Sequence, residues 1–239
     1  MPDMRRTGTS LRRRRRWLVT GFVVALLPPH AATADDVTIA AGRAIVADGV
    51  APGRPGCAAC HMQDGNGQPD VGIPRLAGLT ASYMLDQLNY FAAGMRQNAA
   101  MGPYARMLTP AQRQQVAAYY ASLPVPQTPE PPDSRATPES RQTQVSRGRT
   151  VFLDGDDRSN LLACAQCHGP TALGVGDFSP RLGGQSGPYI AEQLTHWHAG
   201  GLRDPKGAFM RAEAGHMMPA DIKAVAAYLA SLPVTEGKP

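Results

Sequence analysis

Several things are scarce in this chain of 239 residues. Aromatic residues make up 6 % of it, too few for side chains alone to build a thick core. There are four cysteines, poor material for the dense stapling of a small secreted scaffold. No apolar run reaches the roughly 20 residues that a helix needs to span a bilayer. Alternating strand patterns are barely signalled anywhere. Charge is scarce too, once it is located. The formal balance is +5, from 24 basic and 19 acidic residues, but seven arginines and one aspartate of that total lie in residues 1–34. The remaining 17 basic and 18 acidic residues leave −1, which excludes a basic face for nucleic acid. What is plentiful is glycine and proline, 25 and 22 residues, so the chain is rich in loops.

All four cysteines fall in two copies of one pattern, Cys57-Ala-Ala-Cys60-His61 and Cys164-Ala-Gln-Cys167-His168. Two thiols three residues apart and an imidazole directly after them form the attachment signature of a c-type haem. The cysteines sit one helical turn apart, so both sulfurs can form thioethers to the vinyl groups of one porphyrin. The histidine then faces the iron. Paired zinc knuckles would lie about 15–20 residues apart, and more than a hundred intervene here. A thioredoxin-like pair leaves both histidines unexplained, and a disulfide framework leaves the doubled pattern unexplained. The spacing predicts two covalently bound haem c groups, with Cys57, Cys60, Cys164 and Cys167 as attachment points and His61 and His168 on the irons. Buried porphyrins would also enlarge the thin core.

Residues 1–34 read as an export signal. Arg5, Arg6 and Arg12 to Arg16 form a basic start, Trp17 to Leu27 an apolar stretch, and Ala32-Thr33-Ala34 a cleavage site. This predicts a periplasmic protein whose mature chain begins at Asp35. The rest is an internal repeat. Gly42-Arg43 matches Gly148-Arg149, and Pro74-Arg75-Leu76-Ala77-Gly78 matches Pro180-Arg181-Leu182-Gly183-Gly184. Tyr83, Gln87, Leu88, Phe91 and Gly94 match Tyr189, Gln193, Leu194, Trp197 and Gly200, and both halves close on Ala-Ala-Tyr-x-Ala-Ser-Leu-Pro. Two all-α domains are expected, at 36–124 and 145–234, joined by a proline-rich linker over 125–144.

Each half reads as three helices. In the first half they lie near 37–48, near 80–93, and from Pro110 onward. Thr109 as N-cap and Gln112 at N3 form a capping box for the third. In the second half Met218 stands where Thr109 stood and cannot cap.

The sixth ligand separates a closed iron suited to electron transfer from an open one suited to chemistry. Measured back from the proline opening the last helix, Met101 precedes Pro110 by nine residues and Met210 precedes Pro219 by nine. No other methionine pair has equal offsets, which singles out Met101 and Met210. Met107 is the fallback in the first half, and His216 rivals Met210 in the second. The carbonyls of Pro74 and Pro180 are candidates to accept the second ring N–H of His61 and His168. Arg75 and Arg181 are candidate partners for haem propionates.

With these residues in place, each half resembles a class I cytochrome c. The tandem arrangement resembles the di-haem cytochrome c4 family over nearly all of the mature chain. The resemblance implies two cytochrome c folds about a pseudo-twofold axis and an electron carrier, soluble or membrane-associated through its partners. It also implies that Cys57, Cys60, His61 and Met101 serve one haem and Cys164, Cys167, His168 and Met210 the other, with Pro74 and Pro180 orienting the histidines. Its expected partners are redox proteins: a cytochrome bc1-type complex, a terminal oxidase or a dehydrogenase. Two departures stand out. Met62 follows the first CxxCH where glycine is usual, and the long linker argues against closely docked domains. Beside the carrier stand two further readings: an electron-accepting subunit of a periplasmic dehydrogenase, and a di-haem peroxidase or thiosulfate-oxidising enzyme with one open iron.

Overall fold

A computed structural model describes residues 33–125, 137–177 and 179–233. The segment read as an export signal lies outside these residues, apart from Thr33 and Ala34. The first half contains α1 (Ala34–Asp48), α2 (Ala58–His61), α3 (Ala81–Ala92), α4 (Met101–Met107) and α5 (Pro110–Ser122). The second contains α6 (Pro138–Asp154), α7 (Ala165–His168), α8 (Gly187–His198), α9 (Ala208–Gly215) and α10 (Pro219–Ser231). Among the described residues there is no sheet, only isolated bridges such as Gln68 to Ile73. None of these helices is long and apolar enough to cross a membrane.

Among the described residues each half therefore has five α-helices, besides short 3₁₀ turns, rather than the three helices expected. The extra two are the four-residue helix at each CxxCH and the short helix that carries Met101 or Met210. Four residues cannot show a 3.6-residue period, so α2 and α7 left no pattern to read. In α4, Gly102 and Pro103 hide a helix that forms because its free N–H groups find a side chain. Asn98 Oδ1 accepts from the backbone of Ala100 and Met101 at 3.0 and 2.9 Å. The linker is also shorter than read: residues 138–144 are the opening turns of α6.

In both halves the first helix packs on the last, α1 on α5 and α6 on α10. The repeated glycine is the reason that they can. A Cβ on Gly42 would overlap the carbonyl of Gln115, and one on Gly148 would overlap the carbonyl of Ala224. Around each crossing lies a core: Val46, Val116, Ala117 and Tyr120 in one half, and Val151, Phe152, Val225 and Leu229 in the other. The capping box at Thr109 is present. At Met218 no side chain caps α10. Instead Asp221, at N3, places a carboxylate at the positive end of the helix. Arg147 of α6 donates to it at 2.7 and 3.0 Å and to Asp156 at 3.1 Å.

The two halves are closely docked, contrary to what the linker suggested. Arg75 of the first half donates to the carbonyls of Gly183 and Gly184, Ser186 Oγ to the carbonyl of Pro69, and Lys206 Nζ to Asp86. Polar pairing across the contact, rather than linker length, determines how the halves meet.

Candidate haem-binding centres

The two CxxCH segments form matching sites. In α2 the amide of His61 bonds to the Cys57 carbonyl at 2.9 Å, and in α7 His168 bonds to Cys164 at 2.9 Å. That turn puts both thiols and the imidazole of each copy along one short helix. None of the four cysteines is spent on a disulfide, so all are available for thioether bonds.

The imidazoles are buried, and each meets the carbonyl expected of it. His61 Nδ1 lies 3.1 Å from the oxygen of Pro74, and His168 Nδ1 lies 3.1 Å from that of Pro180. A carbonyl can only accept, so the proton sits on Nδ1 and the Nε2 lone pair remains for a metal. Burial lowers the pKa of both rings, with the carbonyl bond opposing it, which keeps them neutral and ligand-ready. The loop chemistry brings the carbonyls into place. Gly67 bonds back to the His61 carbonyl at 3.0 Å, in a left-handed conformation (φ 69°) whose missing Cβ leaves room for the Pro74 carbonyl. Gly174 does the same for His168, with φ 87°.

A cavity of about 470 Å³ lies against Cys57, Cys60, His61 and Pro74. That is within the range of roughly 300–1,000 Å³ for cofactor-sized ligands. A second cavity, of about 120 Å³, lies against Cys164, His168 and Pro180. There the fit rests on the donor set rather than on volume. An orphaned donor supports it: Trp197 Nε1, in the wall of this cavity, is buried without a hydrogen-bond partner among the described residues. A buried N–H of this kind suits an acceptor such as a haem carboxylate. The residues present thus fit a porphyrin with thioether, imidazole and carboxylate contacts.

For the sixth position the two halves differ in how far the geometry discriminates. In the second half Met210 lines the cavity, whereas Met217 is buried in the core, and Met218 and His216 are exposed and outside it. In the first half Met84, Met101 and Met107 all line the cavity. There the nine-residue offset shared with Met210 is what favours Met101. The other histidines have separate places. His198 Nδ1 bonds to the Ala214 carbonyl at 3.0 Å and ties α8 to α9. His196 is exposed beside Gly201.

Arg75 does not present itself to a propionate. Its guanidinium is bonded to the carbonyls of Ala77, Gly183 and Gly184. Desolvation, with the charge of Arg181 second, brings its pKa down to about 10.

Arg181 lines the first cavity, as do two arginines that the sequence reading passed over, Arg96 and Arg203. Arg96 donates to Gln87 of its own half at 2.8 Å, and to Tyr189 and Gln193 of the other at 2.8 and 3.1 Å. Arg203 donates to Gln193 of its own half at 2.6 Å, and to Tyr83 and Gln87 of the other at 3.2 and 3.4 Å. Arg96 lies over Phe91 at 4.5 Å and Arg203 over Trp197 at 4.6 Å. This pseudo-symmetric ring explains why tyrosine, glutamine and a large aromatic repeat at those positions. Tyr83, Gln87, Tyr189, Gln193 and Arg203 line both cavities, so they form a wall that the two sites share. The signal was available in Gly94-Met95-Arg96 against Gly201-Leu202-Arg203, one residue out of register with the Gly94–Gly200 match.

Comparison with known proteins agrees with this geometry. The sequence pattern described as Cytochrome c matches residues 39–124 and 145–233. A protein of Thiomonas intermedia (strain K12) described as a thiosulfate dehydrogenase electron acceptor is 40 % identical over 183 residues, covering 76 % of this chain and 81 % of that one. The solved structure of a thiosulfate dehydrogenase (TsdBA) from Marichromatium purpuratum aligns with a TM-score of 0.73 at 35 % identity. The alignment covers 82 % of this chain and only 40 % of that longer one. Reduced recombinant cytochrome c4 from Pseudomonas stutzeri aligns with a TM-score of 0.68 at 28 % identity, over 81 % of this chain and 98 % of that one.

Proposed function

The chain belongs to the cytochrome c family, as a di-haem electron carrier of the cytochrome c4 type, and from that premise we propose that it works in the periplasm as the electron acceptor of a thiosulfate-oxidising dehydrogenase, passing electrons on towards a terminal oxidase. The observation that carries the electron-carrier reading is the wall shared by the two cavities, with a buried, neutral histidine in each. Haem, when bound, supplies a one-electron iron couple whose potential follows its axial ligands, hydrogen bonds and burial.

The chain's own residues do the rest. Cys57, Cys60, Cys164 and Cys167 would hold the groups covalently, and His61 and His168 would ligate from a fixed tautomer. Met101 and Met210 would supply the remaining protein ligands, with Pro74 and Pro180 orienting the imidazoles. The buried arginines Arg96 and Arg203 and the half-buried Tyr83 and Tyr189 fill the space between the sites, so a carrier of this build needs little rearrangement on gaining or losing an electron. We read the chain as a carrier rather than the catalyst, because all four thiols are committed to attachment and a methionine is available for each iron. The partner rests on the relatives' descriptions, which favour the dehydrogenase over a general respiratory pool.

The test is anaerobic reduction of the haem-loaded, oxidised protein, followed at its visible bands. Thiosulfate with a purified thiosulfate dehydrogenase should reduce both haems within the enzyme's turnover time, and thiosulfate alone should not. Reduction by thiosulfate alone would make the chain itself the enzyme. Failure with the dehydrogenase, alongside rapid reduction by a cytochrome bc1-type complex, would make it a general carrier.

A further inference from the structure

The repeat breaks one residue after the loop that holds each histidine's carbonyl. Pro74-Arg75-Leu76-Ala77-Gly78 is followed by Leu79, whereas Pro180-Arg181-Leu182-Gly183-Gly184 is followed by Gln185. The Gln185 side chain reaches across to the other half. Its Oε1 accepts the backbone N–H of Arg75 at 2.8 Å, and its Nε2 donates to the Arg75 carbonyl at 2.9 Å. The same Oε1 also accepts the N–H of Ser186 at 2.9 Å. Gln185 and Arg75 are 3 and 4 % exposed, so water does not compete for these bonds.

The N–H that Gln185 holds and the carbonyl that His61 bonds are two ends of one group. The peptide joining Pro74 to Arg75 is planar, so fixing its N–H fixes the direction of its oxygen. That oxygen lies 3.1 Å from His61 Nδ1. A chain of three dipoles therefore crosses between the halves, from the Gln185 amide through the 74–75 peptide to the imidazole. Hydrogen bonds linked in this way polarise one another, so the Gln185 bond also makes the Pro74 oxygen a better acceptor. Leu79, at the equivalent place in the first half, has no amide and cannot return the link to His168.

We propose that Gln185 is a positioning residue for the first haem's histidine: the second half sets the orientation and donor strength of His61, and residue 79 exerts no such control on His168. A firmer acceptor on Nδ1–H makes the imidazole a stronger donor and favours the ferric state. Loosening it therefore raises the potential of the first haem. This goes beyond the proposed partner and is independent of it. It rests on His61 as the first haem's ligand, and the wild-type spectrum checks that separately, through a protected ring N–H at His61.

The test uses the full haem-loaded chain carrying Gln185→Leu. Nitrogen-labelled NMR reads exchange of the two ring N–H groups, and a resolved redox titration reads the two midpoint potentials. Exchange at His61 should quicken by about tenfold, the loss of one net hydrogen bond. The first haem's potential should rise, and His168 and its haem should hold their wild-type values. Gln185→Glu keeps the acceptor for Arg75 N–H but loses the donor to the Arg75 carbonyl, and His61 exchange should fall between wild type and Gln185→Leu. Asp86→Asn weakens docking elsewhere and should leave His61 exchange unchanged. Three results would each overturn the proposal: unchanged His61 exchange in Gln185→Leu, equal changes at both haems, or the same change in Asp86→Asn.

Discussion

Alanine at Gly148 should loosen the second half of the protein despite being the better helix former. A Cβ there would overlap the carbonyl oxygen and carbon of Ala224 and stand 2.8 Å from Tyr228 Cβ. Two of those three atoms are backbone of α10, which cannot swing aside as a side chain can. The helices must part instead. A gap of about 0.5–1 Å forfeits a quarter to a half of the dispersion attraction across it. A leucine-sized side chain makes about 40–60 contacts worth about 0.1–0.2 kcal/mol each, so releasing one even partly costs about 1–3 kcal/mol. Val151, Phe152, Val225 and Leu229 share this seam, all at most 2 % exposed. With two such side chains partly released the cost is about 2–6 kcal/mol, against which stands the helix propensity gained on replacing glycine, about 1 kcal/mol. The net loss is about 1–5 kcal/mol, a fall in Tm of roughly 2–20 °C for a chain of this size. Thermal melts of the haem-loaded protein, followed by far-ultraviolet circular dichroism and the Soret band, read it directly. Phe152, Val225 and Leu229 also line the second cavity, so the second haem's band should shift first. Gly215→Ala is the control: nothing lies within 4 Å of its added Cβ, and it should be neutral or slightly stabilising. A Gly148→Ala protein that melts at or above the wild-type temperature would refute the crossing argument.

Three further outcomes follow from the same structure. Met101→Ala should open the first iron to carbon monoxide, visible as a new Soret band, while Met107→Ala should not; the reverse result would move the ligand to Met107. Met62→Gly should stabilise the protein by about 1 kcal/mol in urea unfolding, because Met62 holds φ 62°, a conformation costly for a residue with a Cβ; a loss of stability would show that the side chain has a role there. Asp156 has its carboxyl pKa lowered, chiefly by the Arg147 hydrogen bond and next by the backbone of Arg158. A lowered acid contributes stability above its unfolded pKa of about 3.9 and loses it as pH falls through the folded value. The Tm gap between wild type and Arg147→Gln should thus be widest near neutral pH and narrow below pH ~4; a gap constant with pH would refute that assignment.

What could be read in the chain alone was whatever is local or repeated. CxxCH is a contiguous motif whose geometry is fixed by one helical turn, so the cysteines and histidines at both sites were legible without a fold. The capping box at Thr109 and the apolar stripes of α5 and α10 were legible for the same reason. The repeat added what local pattern cannot: the equal offsets of Met101 and Met210. It could not show why Gly42 and Gly148 recur, because that reason is a carbonyl on another helix about seventy residues away. Nor could it assign Tyr83, Gln87 and Arg96, whose partners lie in the other half. The tertiary structure alone decided that Arg75 holds the opposite loop rather than a propionate, that Asp221 stands in for the missing cap at Met218, and that the halves dock despite the linker. Contacts between distant residues depend on the docked geometry, and hydrogen-bond partners brought together by folding leave no spacing in the sequence to read.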